Sequence, residues 1–194
     1  MDVQQVSVKV FATDSSDLDQ DELIPVFHRW IRDKRLGDDL LLIDVADYRH
    51  VPDGPGMMLI ADDGHYAMDS DSGELGLQYA RKRDAIGDSK ARLAQAFHSA
   101  LAACDALAEE PTLAGHIAFD AGHVEVTVMS RLVAPNNDES YAAFAADLQP
   151  FCEALYGGDV ELSHRDDPHG PLRVLVKSAH VPEITALLSG LQDR

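Results

Sequence analysis

The residues with the greatest chemical potential lie in the first half of this chain. Tyr48, Arg49 and His50 follow an apolar run, and the alternation of a strand would place Tyr48 and His50 on the same face. His65 begins the next apolar segment. Because an imidazole titrates near neutral pH, histidines close to Tyr48 and Asp47 have the chemistry of a general acid or base. The alternative is structural: Tyr48 packs, and His50 tethers a turn by hydrogen bonding a loop carbonyl.

A basic run stands out against the acidic background of the sequence. Arg81, Lys82 and Arg83 precede a glycine, Asp88 and Ser89, where a helix is expected to begin, and the free N–H groups of a helix N-terminus favour anions. The run therefore predicts a site for a phosphate or carboxylate. The alternative is that these side chains neutralise neighbouring acids such as Asp84 and Asp88. The candidate ligand-binding residues are thus Tyr48, Arg49, His50, His65, Arg81, Lys82 and Arg83.

Motifs for other kinds of site are missing from the sequence. Residues 69–74 (DSDSGE) echo the start of a calcium loop, but the later bidentate glutamate and the flanking helices of an EF-hand are absent, so a polar hairpin tip explains them. No Walker loop, GxGxxG, GxSxG or close-spaced metal-ligand motif occurs. Cys104 and Cys152 fall in helical patterns and are expected to pack as small apolar groups. We therefore predict no catalytic residue, metal or cofactor.

The charge of the chain narrows the class of partner. Its 194 residues include 34 Asp and Glu and 16 Lys and Arg, for a formal net charge of −18. Such a charge disfavours non-specific binding to nucleic acid or anionic lipid and favours solubility. No apolar run approaches the ~20 residues that cross a bilayer, and the first residues lack the features of a signal peptide. We expect a cytoplasmic protein whose partner is an anionic small molecule or another protein.

The same order of elements occurs twice along the chain. Alternating apolar residues predict strands at 6–11 and 124–129, each followed by an acidic link and an apolar helix. Each helix runs into glycine and aspartate and then into a pair of strands joined by a Pro/Gly turn, at 52–56 and at 168–171. Phe27, Trp30 and Ile31 in the first helix, and Phe144, Leu148 and Leu155 in the second, are expected to face a sheet.

The remaining segments complete the predicted architecture. A second hairpin is expected within residues 65–80, then a helix capped by Asp88 or Ser89, a hairpin that turns at residues 120–122, and a last helix after Pro182. This order predicts an α+β fold made of duplicated ferredoxin-like (βαββα) units, which form a pseudo-symmetric body with a layer of sheet and a layer of helices. Residues 1–194 would form one compact body, with repeats at 5–119, including the inserted hairpin at 65–80, and at 122–191.

One stretch carries a family resemblance. Residues 44–56 (DVADYRHVPDGPG) resemble segments of uncharacterised bacterial proteins. Those proteins also carry an acidic-to-GlyLeu hairpin like residues 69–77 and a basic run like residues 81–83. The resemblance covers about the first half of the chain and implies a family, but it brings no activity with it.

A duplicated α+β scaffold without a convergent catalytic motif favours a soluble, non-enzymatic module that binds a ligand or partner, or regulates one. Two alternatives remain. One is a hydrolase-type enzyme built on Asp47, Tyr48, His50 and His65. The other is a structural subunit that assembles through its sheet edges. The sequence leaves the oligomeric state open.

Overall fold

The computed structural model describes residues 3–13, 16–52, 54–83, 87–167 and 169–192. Asp53 and Pro168 of the two predicted turns, and Asp84 beside the basic run, lie outside these described residues. Four α-helices and one eight-stranded antiparallel sheet occupy the described part of the chain, which confirms the α+β class. The strands are β1 (Val6–Ala12), β2 (Leu42–Asp47), β3 (Met57–Ala61), β4 (Gly64–Asp69), β5 (Gly76–Arg81), β6 (Phe119–Val128), β7 (Val160–Arg165) and β8 (Leu172–Ser178). The helices are α1 (Leu23–Asp33), α2 (Ser89–Ala108), α3 (Asp138–Tyr156) and α4 (Ile184–Gln192).

The order of strands across the sheet is β2-β3-β4-β5-β1-β6-β8-β7. The two strands that open the predicted repeats, β1 and β6, pair antiparallel at its centre. In the second half β8 pairs directly with β6, whereas in the first half the hairpin β4–β5 lies between β3 and β1. The predicted inserted hairpin is thus present and widens one side of the sheet. Strands β2 and β7 are left at the two edges.

The predicted hairpin between residues 117 and 128 is wrong. Residues 119–128 form a single strand, and the pairing with β1 shifts register between Val10 and Ala12 instead of turning back. Gly122 is explained by a close approach, because a Cβ there would lie 2.4 Å from a methyl carbon of Val181. Nearby, the Tyr156 hydroxyl donates a 2.7 Å hydrogen bond to the carbonyl of Ala121. The glycine signal therefore reflects packing between elements distant in sequence.

One face of the sheet is covered by the helices. Alternate residues of the central strands, such as Val8 and Val126, are fully buried in the core beneath them. The side chain of Trp30 on α1 is 1% exposed, and its indole N–H donates a 2.6 Å hydrogen bond to Glu110. The predicted sheet-facing side chains are buried or packed against the core: Phe27, Trp30, Ile31, Phe144, Leu148 and Leu155. Cys104 and Cys152 are buried there as expected.

Candidate functional site

The edge strand β2 exposes apolar side chains. It pairs with β3 on one side, and no strand among the described residues pairs with its other side. The pairing shifts register between Leu42 and Asp44, which leaves Ile43 without a partner residue on β3. Ile43 is 51% exposed, and Leu41, just before the strand, is 63% exposed. Edge strands of monomeric proteins usually carry charge or proline that prevents pairing with another chain.

The segment that follows β2 extends this apolar surface. Tyr48 and Val51 are exposed, and the rings of Tyr48 and His50 stack with their centroids 6.4 Å apart. Hydrogen bonds from the amide of Tyr48 to the carbonyl of Gly56, and from the amide of Val51 to the carbonyl of Tyr48, fix the turn. We call the surface formed by Leu41, Ile43, Tyr48 and Val51 the β2 edge surface. It contains Tyr48, one of the predicted ligand-binding residues, and Val51, which follows His50.

Arg49 is held by two carboxylates at the end of β2. Its guanidinium donates hydrogen bonds of 2.7 and 2.9 Å to Asp47 and one of 2.6 Å to Asp21. The bonds from the side chain and the backbone amide of Arg49 lower the pKa of Asp47 to about 2. A carboxyl group with so low a pKa is ionised at neutral pH and is a poor general base. Arg49 therefore joins β2 to the 3₁₀ turn Gln20–Glu22 and is not a free cation.

The backbone of β2 offers hydrogen-bonding groups on its open side. The amide of Tyr48 points toward β3, because it bonds Gly56, the residue before that strand. Since backbone groups alternate in direction along a strand, those of Asp47 and Val45 point away from β3. The amide of Val45 donates a 2.8 Å hydrogen bond to the carboxylate of its neighbour Asp44. An adjacent side chain thus caps one of the outward amides.

Acidic side chains surround the β2 edge surface. Exposed carboxylates lie at both ends of the strand and in its middle: Asp19, Asp21 and Glu22 at the end near Arg49, Asp38 and Asp39 before the strand, and Asp44 within it. Between positions 38 and 52, Arg49 is the one Lys or Arg in the sequence. Lys34 lies 3.6 Å from Asp38. These carboxylates outnumber Arg49 and Lys34, so the formal charge of the residues next to this edge is negative.

His65 and the basic run lie together, away from Tyr48. His65 is directly opposite Ala80 on β5, next to Arg81, and the amide of Lys82 bonds the carbonyl of Asp63. The pKa of His65 is lowered by burial and by the charge of Lys82. On β3, His65 pairs with Ile60, three residues along from Met57, which pairs with Asp47. Three strand residues span about 10 Å, so the structure does not bring His65 together with Asp47, Tyr48 and His50.

Near the predicted anion site, Asp88 and Arg83 have partners within the protein. Asp88 is the cap of α2, as predicted, and its carboxylate accepts a 2.9 Å hydrogen bond from the amide of Ala91. Arg83 forms a 2.7 Å ion pair with Asp62. Buried nitrogens of two other candidate residues, Nδ1 of His65 and Nη1 of Arg81, have no hydrogen-bond partner among the described residues.

A buried ionic network on the face opposite the helices was not predicted. Lys9 on β1 is 3% exposed and lies 3.0 Å from the carboxylate of Asp69 at the end of β4. Its side chain passes over Gly76, where a Cβ would lie 2.9 Å from Cε of Lys9. The alternation of a strand places Lys9 on the side of the sheet opposite to Val8 and Val10. No sequence signal identified a partner 60 positions away.

The same network joins the β4–β5 hairpin tip to the other half of the sheet. Arg173 of β8 pairs with Asp71, and Arg165 of β7 pairs with Glu74 at 2.9 Å. Both arginines also approach the buried Glu125, at 3.3 Å from Arg165 and 4.0 Å from Arg173. Burial raises the pKa of Glu125, while these arginines oppose that shift. The cations and carboxylates of this network pair with each other. The network is therefore better explained as a structural contact between the hairpin tip and the strands β7 and β8 than as a site for a ligand.

A functional proposal for this chain rests on the geometry of its structure. No protein-family model matches the sequence, and no curated protein shows significant similarity to it. In the part of the chain that the structure describes, no cluster of three or more His, Cys, Asp or Glu side chains is arranged to hold a metal ion. None of the helices in that part is both long enough and apolar enough to span a membrane.

Proposed function

We propose that this protein is a non-enzymatic binding module, and that the open side of β2 accepts an extended segment of a partner protein as a ninth strand. The observation that carries this proposal is the apolar surface on an unpaired sheet edge, where Leu41 and Ile43 are more than half exposed. Strand addition supplies main-chain hydrogen bonds for affinity, while alternate side chains supply specificity. The backbone of Val45 and Asp47 would receive those bonds.

The energy available at this edge suits reversible binding. Full burial of an Ile or Leu side chain contributes about 1.5–3 kcal/mol, and the half-exposed Leu41 and Ile43 would gain a part of that each. Main-chain hydrogen bonds add about 0.5–1.5 kcal/mol apiece. Association itself costs at least about 4 kcal/mol, so a short segment would bind weakly and a longer partner more tightly.

The enzyme alternative receives less support from the geometry. It requires His65 near Asp47, Tyr48 and His50, whereas the pairing of β3 puts His65 at the opposite end of that strand. Tyr48 and His50 lie on an exposed turn instead of in a water-excluding pocket. Water exclusion strengthens the electrostatic interactions on which acid–base catalysis depends.

A titration followed by NMR tests the proposal. A short, uncharged peptide of alternating valine and threonine should shift the amide signals of Val45 and Asp47 and leave those of β7 unchanged. Replacing Leu41→Lys and Ile43→Lys should weaken binding at least about tenfold, which corresponds to 1.4 kcal/mol. The matched control is Leu132→Lys, because Leu132 is 98% exposed but lies outside β2. Binding that maps elsewhere, or that survives the double replacement, would refute strand addition at β2.

A second candidate function is anion binding beside His65. It is favoured by two buried nitrogens, on His65 and Arg81, that lack hydrogen-bond partners among the residues the structure describes, since buried polar atoms are usually satisfied by protein, a ligand or water. Inorganic phosphate should then raise the melting temperature of the wild type but not that of a folded Arg81→Ala variant. An equal rise in both proteins would exclude Arg81 from any anion site.

We also infer that the chain descends from a duplicated βαββα unit. The shared order β1–α1–β2–β3 and β6–α3–β7–β8 supports this inference, as does the antiparallel pairing of β1 with β6 at the centre of the sheet.

A cytoplasmic location is likewise a proposal. It is supported by the two buried, unpaired cysteines, which suit a reducing compartment.

A further inference from the structure

We propose that the segment accepted by β2 is positively charged, with Lys or Arg flanking a short run of alternating apolar residues. This inference rests on the proposed function and names the class of partner for the same edge. Its basis is the distribution of charge around β2: both ends of the strand and its middle carry carboxylates, and the apolar side chains lie between them.

The length of β2 would let the two ends of such a segment interact with separate groups of acids. A six-residue strand is about 20 Å long, which exceeds the Debye length of about 8 Å at physiological ionic strength. The acids at one end of β2 are therefore screened from those at the other, and each end would attract its own cation. Asp38 and Asp21 are already paired with Lys34 and Arg49. Asp39 would therefore attract one basic side chain and Glu22 the other.

Through Asp44, a positive charge on the partner would directly favour strand pairing at β2. Its carboxylate accepts the hydrogen bond of the outward amide of Val45, so that amide is already occupied in the free protein. A flanking Lys or Arg whose long side chain reaches Asp44 offers the carboxylate a stronger, charge-assisted partner. The amide of Val45 is then released to a carbonyl of the incoming strand. An uncharged segment offers no such exchange and would have to compete with Asp44.

The same charges disfavour a second copy of this chain as the occupant. Pairing two β2 edges would bring Asp44 and its acidic neighbours on one copy against those on the other, and each copy carries a net charge of −18. Like charges across a strand pair are destabilising. The apolar surface is thus protected from self-association while it stays open to a basic segment.

The test compares three labelled peptides with the same alternating valine and threonine core, flanked at both ends by lysine, glutamine or glutamate. Fluorescence anisotropy measures their affinities for the full chain. At about 0.05 M salt the lysine-flanked peptide should bind at least about tenfold more tightly than the glutamine-flanked one, and the glutamate-flanked one most weakly. At about 0.5 M salt the three affinities should converge.

Charge-neutralising variants locate the effect. Asp44→Asn with Asp38→Asn and Asp39→Asn should remove most of the preference for lysine flanks. The matched control is Glu161→Gln, which neutralises an exposed acid on β7.

Equal affinity of all three peptides, with β2 still the binding site, would overturn the charge proposal and leave strand addition standing. Failure of every peptide to perturb the β2 amides would overturn both. A dimer of the wild type at low salt, lost in the Leu41→Lys, Ile43→Lys variant, would identify a second copy as the occupant instead.

Discussion

The backbone groups of the two edge strands, β2 and β7, differ in how they are hydrogen bonded to side chains of the protein. On β7, the carbonyls of Val160 and Leu162 accept hydrogen bonds of 3.0 and 3.2 Å from Gln149 and Tyr141 of α3. At the end of β7, where the backbone alternation gives Arg165 the opposite direction, its carbonyl accepts a hydrogen bond from Asn136. On β2, by contrast, the described hydrogen bonds on the outward side include only the one that the amide of Val45 donates to the carboxylate of Asp44.

The side chains of the two edges differ in the same sense. Large apolar side chains are exposed at β2, whereas the exposed positions of β7 are Glu161 and Ser163. Arg165 at the end of β7 is engaged by Glu74 and Glu125. A covered, polar edge resists pairing with another chain, and an open, apolar edge permits it. The contrast indicates that β2 is kept accessible while β7 is closed.

The largest expected effect concerns the helix behind the open edge. α1 packs against β2 and β3, and Trp30 on α1 is fully buried. Trp30→Ala should lower the free energy of unfolding by about 3–5 kcal/mol through lost burial and a cavity, as should Phe144→Ala behind β7. Urea denaturation measures both, with Trp30→Phe as a milder control. An unchanged midpoint for Trp30→Ala would mean that α1 does not support the β2 edge.

The ionic network should have the next largest effect, because it ties the hairpin tip to the side of the sheet that ends in β7. Lys9→Met leaves the carboxylate of Asp69 buried without its cation, at a cost of roughly 3 kcal/mol. Adding Asp69→Asn should recover part of that loss, since the uncompensated charge is removed. If the double variant were no more stable than Lys9→Met, the Lys9–Asp69 pair would not be the source of the loss.

Removing the caps on β7 should have a moderate effect. Tyr141→Phe with Gln149→Ala deletes the two hydrogen bonds to the β7 carbonyls, at about 0.5–1.5 kcal/mol each. The β7 edge should then become more like the β2 edge. Hydrogen exchange of the β7 amides should accelerate, while exchange in β2 stays the same. Unchanged exchange at β7 would show that these two side chains do not protect that edge.

The smallest expected effect is a change in pH dependence. Burial raises the pKa of Glu125 above its value in the unfolded chain, so the folded protein holds this proton more tightly. The resulting stabilisation is present below the unfolded pKa and is lost as pH rises through the raised one. The stability of Glu125→Gln relative to the wild type should therefore increase as pH rises from acid toward neutral. Thermal denaturation across that range checks the sign, and the opposite trend would mean that Arg165 and Arg173 outweigh burial.

The sequence predicted local elements better than it predicted the relations between them. The cap at Asp88, the helix stripe of Trp30 and the inserted hairpin depend on neighbouring residues, and all three are present. Gly122 was misread as a turn because its constraint comes from Val181, far along the chain. Lys9 was missed for the same reason, since its partner Asp69 comes from another strand.

In the candidate site, too, the sequence predicted local features better than relations between distant elements. Local sequence placed Tyr48, Arg49 and His50 at the end of a strand, whereas β2 ends at Asp47 and these residues lie in the turn that follows. It did not reveal that β2 lies at an edge, because strand order depends on long-range pairing. The apolar character of Leu41 and Ile43 supports the proposed strand addition only because of that position. Likewise, the separation of His65 from Tyr48 follows from the register of β3 with β2 and β4.

Hydrogen exchange measured along both edges, with and without the lysine-flanked peptide, tests the central claim most directly. The account predicts that the peptide slows exchange of the outward amides of Val45 and Asp47, because the added strand satisfies them, and leaves the β7 amides unchanged. Protection at β7, or equal exchange at β2 in the presence and absence of the peptide, would contradict the claim that β2 is the edge at which a partner binds.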